Sequence, residues 1–246
     1  MKKLSSSAAL LFLSALGGLV TLLLRLWLLS LGVDNRNLLA VGNLPDTMSW
    51  IAVALTLALL GLGTWKLPNE AKGCAHFPAS AGAAIGIAMA AAGITITSLR
   101  ELSLSFDTIG MLSSVLGLIT AVSLGFLAFF RAKGWRPNIL FHGIVCIYFM
   151  FHLVFHYRLW SSCPQLQDYG FELLAIVFVM IACYQRAAFD AGRGTIRSYA
   201  FFSAAALFFC IAALPGCDNS AFFIGCAVWM AATPCKILPS EKQQED

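Results

Sequence analysis

The sequence predicts an all-α, polytopic membrane protein: a transmembrane bundle of about eight helices with both termini in the cytoplasm. Three observations carry that expectation. Hydrophobic residues make up 59% of the 246-residue chain and charged residues only 11%, against about 25% charged in an ordinary soluble domain. The apolar residues gather into eight separate runs, most of them near the roughly 20 residues that a membrane helix needs. Twelve of the sixteen Lys and Arg residues fall in every second gap between those runs.

The first run, about 8–31, follows Lys2-Lys3 and is rich in leucine. The second, 47–65, is bracketed by Trp50 and Trp65, and tryptophan favours the boundary between water and lipid. The third, 78–98, opens on Pro78, where a missing N–H costs nothing, and is built from alanine and glycine. The fourth, 109–130, carries small residues on one side and stops at Arg131. The fifth, 138–159, starts after Pro137 and lies between Trp135 and Trp160. The sixth is 170–189; the seventh, 198–214, is punctuated by Pro215; the eighth is 220–236. No proline stands in the middle of a run, so unbroken helices are expected. The last two runs are short and read either as full spans or as a re-entrant hairpin shielded by its neighbours.

Orientation follows from charge, because cytoplasmic loops collect Lys and Arg. With the N-terminus inside, the inner segments hold Lys2, Lys3, Lys66, Lys72, Arg131, Lys133, Arg136, Arg186, Arg193, Arg197, Lys236 and Lys242. The outer loops hold only Arg36, Arg100 and Arg158, with Arg25 inside the first run. The start also resembles a secretory signal, with Ala15-Leu16-Gly17 as a small-residue site. The run continues to Leu31, however, so an uncleaved first span is expected. Residues 1–238 are read as one membrane domain and 239–246 as a short acidic cytoplasmic tail.

Small residues in the third run point to close packing. Gly82 and Gly86 are four apart, and Ala90 and Gly93 roughly extend the stripe. Lipid supplies no hydrophobic drive between helices, so small residues that let backbones approach are the usual contact. This places the third span at the centre of the bundle, with Ser113, Ser114, Gly117, Thr120 and Ser123 of the fourth as its partner face. Eight cysteines contain no CxxC pair, so a zinc cluster is not indicated. Cys163 and Cys217 both fall in outer loops, the oxidising side, and are a possible disulfide.

Ionisable residues inside spans are costly and face the bundle interior or a cavity. Here they are Arg25, His142, His152, His156 and Glu172. All but His142 lie in the outer half of the membrane. His152 and His156 are four apart and share a helix face. That face suits a metal ion, a proton relay or an anionic group beside Arg25, with Glu172 as charge partner for Arg25 or for a protonated histidine. The bland alternative is an Arg25–Glu172 pair and two histidines capped by backbone. Two histidines without a third ligand at recognisable spacing do not define a metal centre, and neither a metal nor a cofactor is expected.

The stretch Pro164-Gln165-Leu166-Gln167-Asp168-Tyr169, followed by Tyr184 through Gly192, resembles uncharacterised polytopic bacterial membrane proteins. The resemblance covers about thirty residues, implies no activity and assigns no functional residue. GxxxxGK, HExxH and GxSxG are absent, which removes the commonest ATPase, zinc-protease and serine-hydrolase readings. Nucleic acid is not an expected partner, because the net charge of +4 is spread along one membrane face. The expected partners are the lipid bilayer, a small-molecule solute, and a membrane subunit or second copy. Three functions remain: a small-solute transporter or solute-binding component with an outward-facing pocket of Arg25, His152, His156 and Glu172; a non-transporting interaction or sensory subunit; and an intramembrane lipid-modifying enzyme with a histidine base. A bacterial cytoplasmic membrane is the expected location.

Overall fold

The computed structural model describes residues 2–31, 44–65, 67, 79–104, 108–160, 169–191 and 193–233. Among them eight helices run in order: α1 Lys2–Ser30, α2 Leu44–Trp65, α3 Ala81–Leu104, α4 Thr108–Lys133, α5 Ile139–Trp160, α6 Gly170–Asp190, α7 Ile196–Ala212 and α8 Ser220–Ala232. Among the described residues no strand occurs. The first six helices are long and apolar enough to cross a bilayer. The chain is thus a multi-pass helical membrane protein.

Local chemistry explains several helix ends. Ser80 is buried and caps α3, its Oγ accepting from the Ala83 N–H at 3.3 Å. Asn138 does the same for α5, accepting from the Leu140 N–H at 3.1 Å. At the end of α4, Gly134 takes a φ of 72°. The Trp135 N–H then folds back onto the Phe130 carbonyl at 3.0 Å, a closure for which glycine is the low-strain residue. α3 runs to Leu104, past the end at 98 expected from hydropathy, and so carries Arg100 and Glu101 onto the helix.

The most completely buried helix is α7, whereas the sequence points to the third span as the centre. Tyr199, Ala200 and most of Ser203–Ala212 are buried, and α7 packs on α1, α2, α6 and α8. α3 instead has one face on α4, another on α8, and Ile85, Met89, Ile96 and Leu99 exposed to lipid. Small residues permit close approach; they do not make a helix central. A helix apolar on all sides, as α7 is, has no face that must avoid burial.

Backbones come close along a seam between α3 and α8. A Cβ added at Gly86 would stand 2.6 Å from Ala232 Cβ, and one at Gly93 would stand 2.5 Å from the Ala221 carbonyl oxygen. From the other helix, a Cβ at Gly225 would stand 2.7 Å from the Met89 carbonyl oxygen. Gly82 is different: it is exposed, and a Cβ there would meet nothing within 4 Å. On the α4 side, Gly117 accommodates Ser98 Oγ and the Tyr148 ring. α1 is joined to α7 by Ser14, whose buried hydroxyl donates to the Ala204 carbonyl at 2.5 Å.

Candidate functional site

One end of the bundle gathers ionisable side chains from four helices and one turn. It is formed by the C-terminal ends of α1, α3 and α5, the N-terminal end of α6, and the turn Ala213–Asn219 between α7 and α8. Pro215 and Gly216, the latter at a φ of 78°, shape that turn.

On one side of the turn, Arg25 is buried, donates to the Ala212 carbonyl at 2.8 Å and lies 4.7 Å over the Phe171 ring. Phe171 in turn stacks on Trp50 of α2 with centroids 5.1 Å apart. Glu172 follows on α6, in the first turn, where a carboxylate suits the helix dipole. The charges of Arg25 and Asp218 both act on the Glu172 carboxyl. Cys217 donates from its thiol to the Leu214 carbonyl at 3.1 Å. Burial, and next the negative charge of Glu172, push that thiol up to about 11, so it stays protonated at neutral pH and is a weak nucleophile. Its expected disulfide partner, Cys163, lies outside the described residues.

Residues further along the same turn reach a second group. Asn219 donates from Nδ2 toward Glu101 Oε1 at 3.5 Å, and Arg100 donates to the Asp218 carbonyl. Glu101 Oε1 lies 3.5 Å from His156 Nε2. The rings of His152 and His156 have centroids 4.1 Å apart, as their spacing of one helical turn requires. His152 is buried between the Tyr148 ring, stacked at 5.2 Å, and the Phe222 ring at 5.1 Å.

The four residues singled out from sequence therefore fall into two half-sites joined by one turn. Arg25 and Glu172 form one. His152 and His156 form the other, and the carboxylate against them is Glu101 rather than Glu172. Glu101 was missed because hydropathy ends the third span at 98 and leaves it to a loop. The continued pattern through Leu99, Leu102 and Leu104 was the signal that the helix runs on. His142 lies ten residues before His152 on α5, roughly 15 Å toward the opposite end, and belongs to neither half-site. Comparison with protein-family models, curated proteins and solved structures finds no match, so function has to be argued from these residues alone.

Proposed function

We propose that this protein is a small-solute carrier, or the solute-binding component of one, in a bacterial cytoplasmic membrane, with its site open to the outside. One observation carries the reading. Arg25, Glu101, His152, His156 and Glu172 are buried or half-buried at a single end of the bundle, within segments whose cost in lipid is otherwise avoided. Purely structural polar groups in a membrane bundle are more often hydroxyls bonded to backbone, as at Ser49, Thr95, Ser114 and Thr120 here.

In this reading His152 and His156 contact the solute, Glu101 holds the imidazoles, and Arg25 with Glu172 fixes the turn Ala213–Asn219 that the two half-sites share. The positive-inside bias orients the site outward. A green fluorescent reporter fused after Asp246 is therefore expected to fluoresce in the cytoplasm, and an alkaline phosphatase fused there to be inactive.

The function is tested by uptake into proteoliposomes from a panel of radiolabelled amino acids, small carboxylates and divalent metal ions. At least one class should accumulate above empty liposomes, and His156→Gln should return it to background with the protein still folded. Absence of uptake across the panel, together with stoichiometric co-purification of a second membrane protein, would favour the interaction-subunit reading instead.

A further inference from the structure

We infer that Glu101, His152 and His156 form a binding site for a divalent transition-metal ion of the zinc class. The inference deepens the carrier reading, on which it rests for its biological sense, by naming the chemical class of the solute. Its chemistry stands on the geometry. One carboxylate oxygen of Glu101 and one ring nitrogen from each histidine all lie within 4.8 Å of one another. Tetrahedral zinc, with bonds of about 2.0–2.2 Å to nitrogen and oxygen, holds its ligands about 3.4 Å apart. The Glu101–His156 separation of 3.5 Å already matches that spacing. Small side-chain rotations close the remainder.

Three further features favour a metal ion over a bare ion pair. His152 is buried, and its Nδ1 has no hydrogen-bond partner among the described residues, so this imidazole gains from a ligand that a core residue would not require. The three ligands also have outer support. Asn219 holds the Glu101 carboxylate, and the Tyr148 and Phe222 rings confine His152. Such supporting contacts orient metal ligands and raise affinity. Finally, Arg100, the nearest cation along α3, has a hydrogen bond of its own to the Asp218 carbonyl.

The donor set decides the class of ion. Two imidazoles and one carboxylate suit zinc, cobalt or nickel, whereas magnesium and calcium require mostly oxygen. Three protein ligands leave a fourth position for water or an exchangeable ligand. Glu101 and His156 keep part of their side chains exposed, 14% and 11%, which leaves the group accessible for exchange.

The test is metal binding by the full chain in detergent, after stripping with a chelator, and involves no transport measurement. Zn²⁺ titrated by calorimetry should bind at one ion per chain. Co²⁺ should give the intense visible absorption of a tetrahedral site, displaced by Zn²⁺. Glu101→Gln, isosteric and partly exposed, should weaken Zn²⁺ at least about 100-fold, and Asn219→Ala about 10–100-fold. His152→Ala should abolish the cobalt spectrum, while His142→Ala should leave it intact. Zn²⁺ should raise the thermal midpoint of the wild type and not of Glu101→Gln, a readout that also certifies folding. A wild type that binds no Zn²⁺, or binding unchanged in Glu101→Gln, overturns the metal site. The uptake of organic solutes would then still decide the carrier reading separately.

Discussion

Gly93→Leu is expected to destabilise the folded bundle by about 3 kcal/mol or more, near the upper end of what overpacking usually costs. The added side chain would begin 2.5 Å from the Ala221 carbonyl oxygen and 3.4 Å from Phe222 Cα. Both are α8 backbone atoms, which cannot rotate aside as a side chain can. Relief requires α3 and α8 to separate, and that loses the dispersion contacts along Gly86, Ala90 and Gly225, which lipid does not replace. Reversible unfolding in mixed micelles would measure the loss. Gly82→Leu is the control: it points to open space and should change stability by no more than about 0.5 kcal/mol.

Arg25→Met should also be costly, by about 1–3 kcal/mol, the usual penalty for leaving a buried acceptor without its donor. Arg25 is buried over Phe171, donates to the Ala212 carbonyl at the start of the α7–α8 turn and acts electrostatically on Glu172. Its loss leaves the Ala212 carbonyl facing a thioether. Adding Glu172→Gln to Arg25→Met should give a cost that differs from the sum of the two single changes by at least about 0.5 kcal/mol, because the two side chains act on each other electrostatically. Simple additivity of the two changes in the same unfolding assay would mean that the residues are not coupled.

The extent to which sequence foretold this architecture differs with the kind of interaction. Length and hydropathy are properties of a segment alone, so each of the eight apolar runs corresponds to a helix, with ends displaced by several residues. Helix partners are properties of pairs. Gly86 and Gly93 announced that a backbone would come close, but nothing in a stripe of small residues names its neighbour, and α8 proved to be that neighbour as well as α4. The candidate site shows the same division. His152 and His156 could be placed on one face by their spacing. Glu101 could not be joined to them, since its nearness depends on where α3 and α5 stand relative to each other. The turn Ala213–Asn219 was legible only as a break between runs; its placement between Arg25 at one end and Glu101 at the other emerges from side-chain contacts.

α8 has thirteen residues and so rises only about 20 Å along its axis, well short of a hydrocarbon core near 30 Å. A helix that short, standing alone, would pull the two leaflets together or leave its ends in oil. α3 and α7 cover most of its surface, with Ile224 and Val228 left exposed, so most of that deficit is met inside the protein.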